Sequence, residues 1–233
     1  MMYKWIYVLV FCILFISCEI NNAKTLTREK LKQHKHKYVN VVEGEYLTYG
    51  LLNKAYNYSF SDGQTIKLKN NSMISFTIKN GGYPDMLTID GVQSLIIGEV
   101  KYELKPLGER SGYIGDLILD DEGNVLMIWL NSDKAVKVGN IAFTFAESQQ
   151  DSKSTVLDPL IFYKNGNIKE GTLAEGVKVF NAFLPKGTRI VFNRSGRVKS
   201  IFLNTETLIN EKIRPAKTKM YLHDDNVFRE FMQ

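Results

Sequence analysis

Apolar and polar positions alternate along this chain in short runs, and the runs recur. Leu160-Ile161-Phe162-Tyr163-Lys164-Asn165-Gly166-Asn167-Ile168 aligns with Ile190-Val191-Phe192-Asn193-Arg194-Ser195-Gly196-Arg197-Val198 at a spacing of 30 residues. The match continues through Leu173 and Leu203, Val179 and Ile209, Pro185 and Pro215, and Thr188 and Thr218. At the same spacing again, Met220-Tyr221-Leu222 and Asn226 repeat the start of the unit. Upstream, Leu117, Leu119, Gly123, Leu130 and Val136 hold the same relative positions 43 residues before Gly166 and its neighbours. Phe76, Ile78, Gly82, Ile89 and Leu95 hold them once more, 41 residues earlier still. Self-similarity on this scale is the mark of a repeat array. We read five units, anchored at Gly82, Gly123, Gly166, Gly196 and Asn226, with the extra length of the early ones in polar stretches at 108–115 and 148–158.

Each anchor lies between two runs of strand character. Asn165-Gly166 is the strongest short hairpin signal, and Ser195-Gly196 and Glu122-Gly123 are weaker forms of it. Asparagine tolerates the left-handed backbone, so Asn226 can stand where the other units carry glycine. Pro185-Lys186-Gly187-Thr188 supplies a second turn that leads into the next strand. The pattern predicts an all-β chain: tandem β-hairpin repeats forming an extended or curled antiparallel sheet, with no long helical segment.

Period-two alternation counted from the turns divides the side chains between two faces. One face takes Leu117, Leu119, Leu126, Ile128, Leu130, Ile190, Phe192, Ile201 and Leu203 and is the expected core. The other takes Ile118, Val125, Met127 and Trp129, then Ile161, Tyr163 and Ile168, then Val191, Val198 and Phe202. A face this apolar is either covered by a curl of the sheet, the favoured expectation, or left open as a binding patch. Trp129, Tyr163 and Phe202 are its candidate contact residues. In general plan, over residues 74–233, the arrangement resembles MORN-type hairpin repeats, although its unit is longer and the Gly-Tyr signature of those repeats is missing. The resemblance implies a scaffold or a lipid-proximal binding module.

The start of the chain has a different character. Lys4 is followed by an apolar run from Trp5 to Ile16, too short for the roughly 20 residues of a bilayer-spanning helix. A basic start, a short apolar middle and the small Ser17 define a secretory signal over residues 1–17. Leu14-Phe15-Ile16-Ser17-Cys18 resembles the lipobox of bacterial lipoproteins, with Phe15 where leucine is usual. That resemblance implies cleavage before Cys18 and lipidation of Cys18, so that the protein is exported and held in the cell envelope by membrane lipid. The remaining cysteine, Cys12, lies within the apolar run, so the body after Cys18 has no thiol for a disulfide or a thiolate metal site.

Composition is ordinary for a packed domain, with 44% hydrophobic and 24% charged residues. The net charge of +5 and pI near 9.0 change meaning once located. Residues 18–40 carry Lys24, Arg28, Lys30, Lys32, Lys35 and Lys37 against Glu19 and Glu29, and they read as a basic flexible tether. Residues 41–233, the single repeat domain, then hold 23 basic and 23 acidic residues. A nucleic-acid role would need a basic stripe on a folded face, so it is not expected. A basic juxtamembrane segment is either drawn to anionic headgroups, by about 1 kcal/mol per charge, or a solvated spacer without lipid preference.

No catalytic constellation stands out. His223 is the one histidine of the body, and no nucleophile motif accompanies it. Asp120-Asp121-Glu122 lacks the ligand spacing of a calcium loop and reads as turn chemistry. His34 and His36 alternate with lysines, which disfavours a metal. No cofactor fingerprint occurs. The expectation is a noncatalytic envelope module with an unidentified protein or glycan partner. A glycan-acting hydrolase is the alternative, because paired carboxylates meet in space and leave no trace in sequence.

Overall fold

The computed structural model describes residues 39–43, 47–52, 54–70, 73–77, 84–106, 116–129, 135–144, 147–151 and 154–230. The described residues are all-β, without a helix. The backbone of the molecule is one antiparallel sheet. In spatial order it runs through β1 (Val39–Glu43), β2 (Leu47–Leu52), β5 (Met73–Thr77), β6 (Met86–Leu87), β9 (Leu117–Leu119) and β10 (Val125–Ile128). It continues through β15 (Leu160–Phe162), β16 (Ile168–Leu173), β19 (Arg189–Phe192), β20 (Val198–Phe202), β23 (Lys219–Leu222) and β24 (Phe228–Glu230).

The pairs β5–β6, β9–β10, β15–β16, β19–β20 and β23–β24 are successive hairpins. The last four match the expected units anchored at Gly123, Gly166, Gly196 and Asn226, each anchor falling between the two strands of its pair. Gly82 lies outside the described residues. The other anchors have the left-handed backbone expected of them: φ is 80° at Gly123, 81° at Gly166, 82° at Gly196 and 60° at Asn226.

Between consecutive sheet hairpins the chain makes another, smaller one. These are β3 (Tyr56–Ser59) with β4 (Thr65–Leu68), β7 (Gln93–Ile97) with β8 (Val100–Leu104), and β11 (Val136–Val138) with β12 (Ile141–Thr144). They continue with β17 (Val177–Val179) and β18 (Ala182–Leu184), then β21 (Thr207–Ile209) and β22 (Lys212–Arg214). A further pair, β13 (Glu147–Asp151) and β14 (Ser154–Leu157), occupies the 148–158 insertion. β12 also joins the edge of β16. The repeat is therefore a two-hairpin unit. Backbone bonds Leu173 N to Thr188 O (2.9 Å) and Leu203 N to Thr218 O (3.0 Å) close the smaller hairpins back onto the sheet.

This second row explains where the core sits. The flanking strands alternate buried and exposed residues, as in β18 and β21, and they put their buried set against one face of the sheet. Val179, Ala182, Leu184 and Ile209 meet Leu173, Ile190, Ile201, Leu203 and Met220 in one apolar cluster that continues to Leu52, Tyr58 and Leu68. Burying each such large aliphatic side chain is worth about 1.5–3 kcal/mol. β1 and β24 form the two edges of the large sheet. β24 blunts its edge with the exposed charges of Arg229 and Glu230.

The face assignment holds for Leu117, Leu119, Ile128, Ile190, Phe192, Ile201 and Leu203, all buried in the core. Val125, Ile168 and Val198 were expected on the opposite face; they pack with the core instead. The cause is a bulge just after the turn in β9–β10, β15–β16 and β19–β20, where the pairing skips a residue: Val191 faces Ser200, but Phe192 faces Val198. The extra residue restores the first position of the strand to the core side. The same bulge takes Leu126 out of the core, since Leu119 pairs with Val125 and Ile118 with Met127. Leu130 lies outside the described residues.

Candidate functional site

The described hairpin turns of the row are built the same way. In four of the turns, at 120–124, 163–167, 193–197 and 223–227, the first residue's amide donates to the carbonyl of the fifth, and the fourth residue's amide donates back to the first. For Asn193 these distances are 2.8 Å to Arg197 O and 3.0 Å from Gly196 N. The β3–β4 turn at 60–64 repeats the pattern, 2.8 Å and 3.1 Å. This is a turn followed by a left-handed residue and a bulge, the usual three-residue hairpin loop. Side chains complete it: Asp120 Oδ1 accepts from the amides of Glu122 and Asn124, and Asn193 Oδ1 from those of Ser195 and Arg197.

Neighbouring turns are tied together. Lys164 reaches back to Asp121 at 2.9 Å and Glu122 at 3.0 Å. Asn167 donates to Arg194 O at 3.0 Å, and Arg197 donates to Asn226 Oδ1 at 2.9 Å. The hydrogen bond and charge of Lys164 lower the Asp121 carboxyl below its ordinary value, and the two carboxylates raise Lys164. Exposure keeps these pairs modest energetically, so their role is alignment.

Where the turn row meets the flanking turns, a groove of about 230 Å³ opens. Phe60, Leu95, Ile97 and Val125 supply its apolar lining, and Asp62, Gln64, Asn124, Lys164 and Asn165 its polar groups. Its wall is held by an amide that imitates a strand. Gln64 donates to Ile96 O (2.8 Å) and accepts from Ile96 N (2.7 Å), while Gln93 makes the reciprocal pair with Lys67, 2.7 Å and 2.6 Å. Two glutamines thus stitch β4 to β7. At the floor, the turns at Gly98 and Gly166 meet backbone to backbone, so closely that a Cβ on Gly166 would lie 2.7 Å from Gly98 N.

A smaller cleft of about 50 Å³ lies against the sheet, lined by Asp158, Pro159, Ile161, Glu170, Thr172 and Arg189. Glu170 is ion-paired with Arg189. Thr172 Oγ1 lies 3.4 Å from Asp158 Oδ2. Burial raises the Asp158 carboxyl above its ordinary value, against the opposing pull of Arg189.

The candidate contact residues do not share one open surface. Trp129 is buried, 3% exposed. Tyr163 is half-buried and its hydroxyl donates to Phe192 O at 2.8 Å. Phe202 is 39% exposed. Cys18 and residues 19–38 lie outside the described residues, while Val39 and Asn40, which the sequence places in the tether, are the first residues of β1. His223 takes the first position of the last turn, and Asp120 the first position of the second-unit turn, as turn chemistry requires. Among the described residues no three His, Cys, Asp or Glu side chains are grouped to hold a metal ion. The groove itself was missing from the sequence reading. It joins residues as far apart as Gln64 and Gly166, and only the positions of the turn glycines hinted that the turns lie in a row.

The chain is thus an all-β protein of tandem paired hairpins. No family model matches it, and no curated protein matches it. Among solved structures it was aligned with the modular autolysin LytC from Streptococcus pneumoniae in complex with a synthetic peptidoglycan ligand. That alignment has 15% identity and a TM-score of 0.12, and covers 82% of this chain and 52% of that one. The chain spans about half the length of that structure, and a likeness this slight carries no argument about fold or function.

Proposed function

We propose that this chain is an exported bacterial envelope lipoprotein, anchored through Cys18, whose hairpin array is a noncatalytic binding or scaffold module. The observation that carries the reading is the row of side-chain-tied turns opening into the groove beside Gly98 and Gly166. Its volume falls below the 300–1,000 Å³ usual for a whole small ligand, which suits one segment of a longer polar chain passing over a preorganised surface. The lipobox at Leu14–Cys18 and the basic segment after it support the membrane side of the proposal.

One observation favours the hydrolase alternative. Asp158 and Glu170 line the same cleft, one with a raised carboxyl and the other held by Arg189. Two carboxyl groups lining one cleft, one of them partly buried, are the raw material of an acid and base pair. A single experiment separates the readings: incubation of the protein with purified envelope glycan. Co-sedimentation without new reducing ends, weakened when Asn165→Trp fills the groove, is the result expected of a binding module. Release of reducing ends that Asp158→Asn abolishes would replace it with a hydrolase.

A further inference from the structure

The outward side of the flanking hairpins changes character along the molecule. On β3, β4, β7 and β8 the outward residues include Asn57, Lys67, Ser94 and Lys101, and the exposed apolar ones there are Ile96 and, just before β7, Val92. On the last two flanking hairpins they are Lys178, Phe183, Leu208 and Ile213. Phe183, Leu208 and Ile213 are 61%, 63% and 67% exposed. Each of the first two alternates with buried neighbours, Ala182 and Leu184 for Phe183, Thr207 and Ile209 for Leu208. Leu208 pairs directly with Ile213, and Phe183 with Lys178. β18 lies beside β21, so these positions form one continuous apolar row. The Phe183 ring is seated over Gly176, where a Cβ would come within 2.4 Å of its tip. Phe180, in the β17–β18 turn at φ 53°, is 43% exposed.

We infer that this row is a bilayer-docking surface that lays the C-terminal flanking hairpins on an anionic lipid membrane. The inference rests on the lipid-anchored reading for its setting, but it concerns a different part of the chain. Two observations select lipid as the occupant. First, Lys178 pairs with Phe183, Lys212 precedes Ile213 in β22, and Lys186 and Lys217 lie in the turns that follow β18 and β22; all four are exposed and none is ion-paired among the described residues. Apolar residues flanked by lysines suit the boundary between headgroups and acyl chains. Second, a two-fold pairing of this surface with a second copy would set its lysines against one another. Glu206 and Glu211 at the margin reduce the positive charge without entering the apolar row.

The test uses the full chain, lipidated and reconstituted in phosphatidylglycerol-containing vesicles with brominated acyl chains. Phe183→Trp and Leu208→Trp add a fluorophore within the row, Lys101→Trp one outside it, and the unsubstituted chain gives the background. Quenching of the tryptophans at 183 and 208, and not of that at 101, is expected. Chain retained on the vesicles with neither row tryptophan quenched would overturn the docking surface while leaving the anchor intact. Should the chain fail to stay on the vesicles, the anchor reading is lost. The docking surface is then judged on the Cys18→Ala chain with the six lysines and arginines of the tether replaced by glutamine, on the same vesicles at low salt, where the lysines beside the row still act. Quenching there upholds it, and its absence overturns it. Crosslinking of two copies through position 208, in place of quenching, would assign the row to self-association and equally overturn it.

Discussion

Replacing Gly166 with alanine should damage this protein far more than the same change at Gly196. The two glycines are equivalent in the repeat and share a backbone angle, φ 81° and 82°. Giving either a Cβ in that left-handed conformation costs about 1–2 kcal/mol. At Gly196 that is the whole penalty, because an added Cβ meets nothing within 4 Å. At Gly166 it would fall 2.7 Å from Gly98 N and 2.9 Å from Gly98 Cα. Both atoms belong to a backbone turn, so relief requires the turns to separate, and overpacking of this kind adds about 1–3 kcal/mol. The expected cost is therefore about 2–5 kcal/mol at Gly166 against about 1–2 kcal/mol at Gly196. Urea unfolding measures the difference as midpoint shifts at unchanged slope. Hydrogen exchange measures where it acts: Gly166→Ala should speed exchange in β7–β8 as well as β15–β16, whereas Gly196→Ala should loosen β19–β20 and its neighbour β23–β24. Equal costs at the two sites, or no effect of Gly166→Ala on β7–β8, would refute the contact between turns on which the groove depends.

Gln64→Leu and Gln93→Leu should each destabilise by about 1 kcal/mol, the net worth of exposed amide bonds, with faster exchange confined to β3–β4 and β7–β8. Unchanged exchange there would deny the stitch. Tyr163→Phe should cost about 1 kcal/mol through loss of its bond to Phe192 O, read by thermal unfolding. Because burial holds the Asp158 carboxyl above its ordinary 3.8 when folded, the folded state binds that proton more tightly. Stability should then fall as pH rises from that ordinary value through the folded one, and Asp158→Asn should flatten the fall and stabilise the protein at neutral pH. A steeper loss in the variant would contradict the sign. Cys18→Ala should abolish lipid labelling and move the protein out of the detergent phase; unchanged partitioning would remove the lipobox reading.

The repeat was legible because its turns are chemical. A left-handed position is met by glycine or asparagine wherever it occurs, so Gly123, Gly166, Gly196 and Asn226 announce themselves at any spacing. The strands before each turn were legible for the same local reason. The strands after it were partly misplaced, since the bulge that returns Val125, Ile168 and Val198 to the core depends on how two strands pair and not on either alone. The flanking hairpins were only half visible. Their alternation is present in Val177, Lys178 and Val179 and again in Ala182, Phe183 and Leu184, but segments of three residues give little signal. Gln64, Gln93 and the contact of Gly98 with Gly166 had none. Each joins distant parts of the chain through a group that has an ordinary local use.

The two-hairpin unit also explains why the molecule can carry different surfaces on one plan. A sheet of hairpins alone leaves an apolar face, which a lone repeat cannot bury. The smaller hairpins cover that face, and only their inward residues, such as Tyr102, Leu104, Leu184 and Ile209, are constrained by the core. Their outward residues are free to change without disturbing the array. Lys67 and Lys101 at one end and Phe183, Leu208 and Ile213 at the other are alternative uses of equivalent positions. The turn row is constrained differently, because each turn is tied to the next and Gly166 is pressed against Gly98. Variation in this architecture should thus collect on the outer side of the flanking layer, while the turns keep their form.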